Sequence, residues 1–324
     1  MSNRDSSAPS RKGKAGASGA PRVLVLLKRS AYRKYVEQDH DALVEDLIEK
    51  GDASVARMLP SHIDHEETVV EVRAALEALG ADVTFNDNPR APFPSDHVDL
   101  VVTIGGDGTL LAASHQVGAN TPILGVNSAP KYSVGFFCAA RKGTVQDTLG
   151  AALGGQLRRV SLTRMRVDVN DTCVHRRVLN EALFCHVSPA STSRYILSVP
   201  SGEAGEGGAL DEEDQKSSGM WIGPAAGSTA AQRSAGGRAL PLSSTKLQYV
   251  VREPYVPLGH RMRLTLGLIE PGACLTLRSK MRTGKVFLDG ELTGYDVTVG
   301  DVVRMRRAEE PLTVLGLTRN GRPT

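Results

Sequence analysis

The sequence predicts an α/β N-terminal domain with a doubly wound parallel sheet, followed by a C-terminal antiparallel β domain. Three observations carry this. Apolar runs of strand length alternate with helical periodicity up to about residue 156. One of those runs, Val101-Val102-Thr103-Ile104, enters a glycine turn that opens a helix. From about residue 157 the texture changes to short alternating segments separated by regular turn signals. The expected division is therefore a tail over 1–20, an α/β domain over 21–156 and a β-rich domain over 157–324, whose last segment is a candidate to pack back on the first domain.

Residues 1–20, rich in Ser, Gly, Ala, Lys and Arg, hold too little apolar surface to offset ordering and read as a disordered basic tail. Residues 23–27 are an apolar run of strand length, and helical spacing follows through Ala42, Leu43, Val44, Leu47 and Ile48. A second helix is expected over 68–79, from the stripe Val69, Val70, Val72, Ala75, Leu76 and Leu79, with Gly80 as its C-cap. Strands are expected at 83–85, 98–104 and 123–126, with a helix from Thr109 to His115 between the last two. In the C-terminal half, strands are expected at 164–169, 174–179, 247–251, 261–266, 274–278, 286–288 and 302–305. Residues 201–219, with glycines and the acids Glu203, Glu206, Asp211, Glu212, Glu213 and Asp214, read as a mobile surface loop, a lid being the alternative.

The most informative stretch is Gly105-Gly106-Asp107-Gly108-Thr109. Glycines without Cβ atoms let the backbone turn sharply and approach a ligand, and the first N–H groups of the following helix face that ligand, so the turn suits phosphate. A carboxylate inside such a turn calls for a compensating metal ion or for proton chemistry, which makes Asp107 the candidate catalytic residue. The plainer alternative is a structural strand-to-helix loop with an Asp cap. The chain has no Gly-Lys-Ser/Thr, and its glycine spacing misses the dinucleotide fingerprint.

A net charge of +3 and 4% aromatic residues do not indicate a nucleic-acid surface. Cys138, Cys173, Cys185 and Cys274 contain no Cys-x-x-Cys pair, which argues against structural zinc and for reduced thiols in a cytoplasmic setting. His62 and His65, beside Glu66 and Glu67, have a metal-like spacing but read as the solvated start of a helix. With no run of eighteen apolar residues, no membrane span is expected, and the N-terminus has no signal-peptide pattern.

A second small-residue cluster, Gly223-Pro224-Ala225-Ala226-Gly227-Ser228-Thr229-Ala230, follows the apolar Met220-Trp221-Ile222 and precedes a short helix ending near Gly236. Its hydroxyls can cap that helix or bond a ligand's base and phosphates. Together, the two turns resemble those of the NAD kinase family, in which a Gly-Gly-Asp-Gly turn and a Gly-Ser-Thr-Ala turn face each other across a domain boundary. The likeness covers most of residues 22–317 and extends to Asn180-Glu181 at a strand end and to a late Asp289-Gly290. Within the family the chain is similar to the branch containing plant NADH kinases, through Gly125-Val126-Asn127-Ser128, Ser217-Ser218-Gly219, Arg233-Ser234-Ala235-Gly236-Gly237 and residues 247–254. It departs from the bacterial pattern at Ser218, where an Asp is usual, at Ala231, where an aromatic is usual, and in a longer segment between Asn127 and Gly135.

The resemblance implies transfer of the terminal phosphoryl group of ATP, with Mg²⁺, to the 2′-hydroxyl of the adenosine ribose of NAD or NADH. It implies that Gly105, Gly106, Gly108 and Thr109 cradle phosphates, that Asn180 and Glu181 contact a ribose, and that Gly227, Ser228, Thr229 and Ala230 form the adenine side. Small-molecule nucleotides are then the expected partners, and a homodimer or homotetramer the expected assembly. Basic groups near the transferred phosphate are sought at Arg278, Lys280 and Arg282 by charge alone, a solvated strand face being the alternative. A lipid kinase of the diacylglycerol or sphingosine type shares Gly-Gly-Asp-Gly-Thr but typically continues with an acidic residue and Asn-Gly, where this chain has Leu110-Leu111-Ala112-Ala113-Ser114. A non-catalytic dinucleotide sensor is the reading from another class.

Overall fold

The computed structural model describes residues 19–201 and 209–317; the expected basic tail falls almost wholly outside the described residues. The first part of the chain runs β1 (Arg22–Leu27), α1 (Ala42–Glu49), α2 (Met58–Ala78), β2 (Asp82–Asn86), β3 (Leu100–Gly105), α3 (Asp107–Ser114), β4 (Ile123–Asn127), β5 (Cys138–Arg141), α4 (Val145–Leu153) and β6 (Arg159–Leu162). It continues through β7 (Met165–Val169), β8 (Thr172–Val178), β9 (Ala182–His186), β10 (Ser193–Pro200), β11 (Leu210–Ser217), β12 (Met220–Pro224), α5 (Ala231–Ser234) and β13 (Leu247–Val251). The last strands are β14 (Leu266–Ile269), β15 (Cys274–Ser279), β16 (Gly284–Leu288), β17 (Gly294–Val297), β18 (Val302–Arg307) and β19 (Leu312–Leu315).

The first sheet has the order β2-β1-β3-β4-β19-β6, with β5 also pairing with β4. The pairs β1–β2, β1–β3, β3–β4 and β4–β19 are parallel. Its central strands β3 and β4 are buried along their whole length because both faces are covered. Val23, Val25, Val102 and Ile104 pack with Val72 and Leu76 of α2 and Leu149 of α4, whereas Leu24, Leu26 and Val101 pack with Leu110 and Ala113 of α3. Leu179, Ala226 and Leu242 join that second cluster, so the face carrying α3 is also where the two halves of the molecule meet.

Two antiparallel six-stranded sheets form the C-terminal half, ordered β11-β10-β15-β18-β7-β8 and β14-β13-β12-β9-β16-β17. Alternating residues from both sheets, among them Val167, Phe184, Leu197, Ile222, Leu277, Val286 and Val303, make one core. Two details differ from a simple division at residue 157. β6 lies in the first sheet beside β19, antiparallel to it, and β19 returns from the chain's end to pair with β4.

Three further expectations are corrected. Helix α2 starts at Met58, ten residues before the expected 68, and places His62 and His65 within its buried stripe, not at a solvated start. His65 Nδ1 lies 2.9 Å from Ser128 Oγ, and burial together with Lys28, Arg33 and His62 holds its imidazole down at about 4. The acidic segment expected as a loop is the strand β11, paired with β10 over residues 210–217. As an edge strand, it carries charges that discourage pairing with another chain, and Asp211 and Asp214 find Arg263 and Lys280. Residues 202–208 lie outside the described residues. A strand expected at 261–266 begins instead at Leu266. Among the described residues no helix is long and apolar enough to cross a membrane, and all four cysteines are unpaired.

Candidate active site

The C-terminal ends of the parallel strands present one cleft of about 760 Å³, the place where ligands bind in open α/β sheets. Lys28 and Arg29 follow β1, Asp87 to Arg90 follow β2, Gly106 to Thr109 follow β3, and Tyr132 and Ser133 follow β4. Lys34, Ala112 and Leu292, the last from the β16–β17 turn of the other half, complete the lining. Lys28 reaches this position because its N–H bonds the Ile104 carbonyl at 2.9 Å, beside the start of the glycine turn.

The glycines of the turn do different work. A Cβ on Gly105 would lie 2.2 Å from Thr109 Oγ1 and 2.9 Å from Lys28 Cβ, so packing demands glycine there, whereas one on Gly106 would meet the Ser133 hydroxyl at 2.4 Å, a group that can rotate away. A Cβ on Gly108 would meet no atom within 4 Å, and this residue is exposed to the cleft. Room there is room for a ligand. Thr109 is buried, its hydroxyl side against Gly105.

Asp107 is the first residue of α3, where the helix N-terminus favours a negative side chain. Its Oδ2 accepts the Phe136 N–H at 2.9 Å and its Oδ1 the Phe137 N–H at 2.8 Å. Those two amides are held in place by the rings of Phe136 and Phe137, packed edge to face at 5.0 Å, with Phe137 in the core. Two backbone donors thus hold and aim this carboxylate, a means of compensation beyond the metal ion or proton chemistry expected from the sequence. Nothing in the sequence marked those donors. They come from the longer segment after Asn127, closed by Asn127 Nδ2 donating to the Ser133 carbonyl and by Gly135 at φ +65° packed on Asn127.

Asp289 organises the second half of the site. Its side chain is 1% exposed. Oδ1 accepts the N–H groups of Asn180 (2.7 Å) and Glu181 (3.0 Å), and Oδ2 accepts that of Leu179 (2.8 Å). His115 Nε2, at the C-terminal end of α3, lies 2.8 Å from the same Oδ2. The Asp-Gly pair is thus no ordinary hairpin turn: Asp289 adopts φ +48° and folds its carboxylate inward to tie the Asp107 helix to the Asn180-Glu181 strand end. Gly227 then brings in the third motif. A Cβ there would lie 1.8 Å from the Asn180 carbonyl oxygen, and one on Gly223 2.3 Å from the same atom.

Replacing Gly227 by Ala must push these two turns apart. We expect Gly227→Ala to cost about 1–3 kcal/mol by overpacking, read by thermal melting. Wild-type melting in that variant would contradict the packing argument.

Other expected residues take plainer positions. Ser228 is fully buried; its hydroxyl donates to the Ala225 carbonyl (2.7 Å) and accepts the Leu240 N–H (2.8 Å), which shapes the turn. Thr229 and Ala230 are exposed just beyond Gly227. Arg278, Lys280 and Arg282 form the solvated face, with Lys280 on Asp214. The basic groups that do line the cleft are Lys28, Arg29, Lys34 and Arg90, which sequence spacing did not single out.

Glu181 is set apart electrostatically. Burial, then the neighbouring Asp289, raise its carboxyl to about 7 against the opposing hydrogen bond from Asn180. Its Oε2 is buried with no hydrogen-bond partner among the described residues.

The geometry agrees with comparisons to known proteins. A family model described as the ATP-NAD kinase N-terminal domain matches residues 22–155. The chain is 33% identical to a probable NADH kinase of Oryza sativa subsp. japonica, over 79% of this chain and 82% of that protein. It is 32% identical to an NADH kinase of Arabidopsis thaliana, over 65% and 71% of the two chains. Its fold matches the crystal structure of an NAD kinase from Archaeoglobus fulgidus in complex with ATP, with a TM-score of 0.62 at 18% identity, covering 90% of this chain and 92% of that one. An α/β domain whose glycine turn is tied through Asp289 to a β-sandwich, together with these relatives, shows that the chain belongs to the NAD kinase family.

Proposed function

We propose that the protein transfers the terminal phosphoryl group of ATP to the 2′-hydroxyl of the adenosine ribose of NAD or NADH, giving NADP or NADPH. The observation that carries this reading is a cleft in which one amide-aimed carboxylate, Asp107, faces the same space as four basic side chains, Lys28, Arg29, Lys34 and Arg90. Phosphoryl transfer asks little covalent chemistry of a protein; it needs alignment, charge neutralisation and a place for the hydroxyl proton. Asp107 takes that proton on a carboxylate lone pair not used by Phe136 and Phe137. The open N-terminus of α3 and the basic groups bind the phosphates.

Asp107 and Asp87 are the carboxylates lining the cleft, oxygen donors of the kind Mg²⁺ takes, and they would hold that ion beside the phosphates. When bound, Mg²⁺ supplies charge neutralisation on the triphosphate. Asn180 and Glu181, fixed by Asp289, are assigned to a ribose of the dinucleotide, whose hydroxyl can satisfy the unpaired Glu181 Oε2. Thr229 and Ala230, exposed beside them, are assigned to the adenine. The β-rich half from β7 to β18 is the dinucleotide-binding unit. A lipid kinase or a silent sensor gains no support from these relatives.

Purified protein with ATP and Mg²⁺, offered NAD and NADH separately, tests the proposal. Formation of a phosphorylated dinucleotide from either supports it; failure with both, while a diacylglycerol or sphingosine is phosphorylated, overturns it.

Glu181 gives a pH prediction. Its folded value of about 7 lies above the ordinary 4.5, so the folded state binds this proton more tightly than the unfolded chain does. Its ionisation therefore costs stability progressively as pH rises from about 4.5 to 7, and fully above that. Glu181→Gln should stabilise the protein by about 1–3 kcal/mol at pH 8 and leave it unchanged near pH 4. Urea unfolding at both pH values checks this, and equal effects at the two would contradict it.

A further inference from the structure

The sheet β11-β10-β15-β18-β7-β8 carries a second cavity, of about 590 Å³, that shares no lining residue with the cleft around Asp107. Arg166 of β7 and Arg306 of β18 sit directly opposite each other there. Like charges in that register repel, and the buried Asp168 beneath them pairs with both, at 2.7 Å to Arg166 and 3.6 Å to Arg306. Arg176 of β8 and Arg307 at the end of β18 add two more guanidinium groups to the same wall.

Among the described residues neither Arg176 nor Arg307 makes an ion pair, and both are exposed to solvent. The carboxylates in the lining are Glu309 and Glu310. Glu310 is already engaged: it bonds the Arg177 guanidinium at 2.9 Å and the Ala119 N–H at 2.8 Å, and it lies 3.5 Å from the buried Arg164. With Asp168 set between Arg166 and Arg306, Glu309 acting on Arg166 and Glu310 taken up by Arg177, Arg176 and Arg307 are the guanidinium groups this concave surface offers to an anion. Guanidinium forks match phosphate oxygens two at a time. The lining has no aromatic ring on which a base could stack, so recognition rests on the phosphates.

We propose that this cavity binds a short chain of linked phosphates, free or borne by a small molecule, at a site distinct from the phosphoryl-transfer cleft. The probes are inorganic tripolyphosphate and ADP, titrated calorimetrically into the full-length protein, into the Arg176→Gln/Arg307→Gln variant and into a Lys28→Gln/Lys34→Gln variant of the cleft. The arginine variant is expected to lose one binding event, or about tenfold or more in its affinity, which the lysine variant retains. Loss for both probes says that the shared phosphate chain is read whatever bears it; loss for tripolyphosphate alone assigns an inorganic chain.

Arg278→Gln, on the same sheet outside the cavity, controls for bulk charge, and the single Arg307→Gln repeats the test if the double variant melts early. Identical titrations of wild type and arginine variant, or an equal loss in Arg278→Gln, would overturn the proposal. These readings are of binding alone, so they stand apart from whether the protein phosphorylates a dinucleotide.

Discussion

Asp107→Asn is expected to lower turnover by about 10²–10⁴-fold, or about 3–5.5 kcal/mol of transition-state stabilisation, while dinucleotide binding remains measurable. Asn keeps the size of the side chain and one carbonyl oxygen. It cannot take a proton from an alcohol, and its NH₂ group faces one of the two amide donors, Phe136 N–H or Phe137 N–H, that Asp107 satisfies. Part of the loss could therefore come from a loosened 128–137 segment. Two readouts separate the causes. A melting point close to wild type with near-normal dinucleotide affinity and lost turnover is the signature of a missing base. An Asn variant that turns over at the wild-type rate would remove Asp107 from the chemistry.

Asp289→Ala is expected to destabilise the protein by about 3–5 kcal/mol, although this residue touches none of the expected phosphate groups. Deleting the carboxylate orphans the N–H groups of Leu179, Asn180 and Glu181 at once and removes the partner of His115. Each buried donor left unpaired costs about 1–3 kcal/mol, part of which water entering the vacated space recovers. Asp289→Asn keeps one acceptor oxygen and should fall between the two. Because the same carboxylate fixes the Asn180-Glu181 backbone, dinucleotide affinity should fall with stability. Urea unfolding measures the first and titration the second; a loss under 1 kcal/mol in the Ala variant would show that the tie between the α3 end and the strand end is dispensable.

Much of this was legible in the residues. Continuous apolar runs at Val23 and Val101 marked strands covered on both faces, and the turn after Ile104 falls at the expected sheet edge. Glycine, whose lack of a side chain is visible in sequence, pointed to the close approaches at Gly105 and Gly227. Several strands, β5, β6, β9, β10, β17 and β19 among them, were missed because short segments buried by distant partners carry little periodic signal. The acidic run over Asp211 to Asp214 read as a loop because charge suggests solvent; its alternation, with Asp211 and Glu213 half-buried and Asp214 outward, is that of an edge strand. In the site, side chains with recognisable chemistry were found, whereas backbone donors were not. Phe136 and Phe137 act through their N–H groups, which any residue would supply, and Asp289 acts on three more.

Charge was the least reliable guide. Arg278, Lys280 and Arg282 stay on a solvated face, whereas Lys28, Arg29 and Lys34 follow β1 and Arg90 follows β2, and the pairing of β1 with β2 brings the fourth to the other three.

The central claim is that the cleft around Asp107 delivers a phosphoryl group to one particular ribose hydroxyl. Phosphorus NMR of the product formed from ATP and NAD in the presence of Mg²⁺ tests it most directly. A new phosphomonoester on the 2′-oxygen of the adenosine ribose, absent when Asp107 is replaced by Asn, is the result predicted. ATP consumed with no ester at that position, or the same ester formed at the same rate without the Asp107 carboxylate, would contradict it.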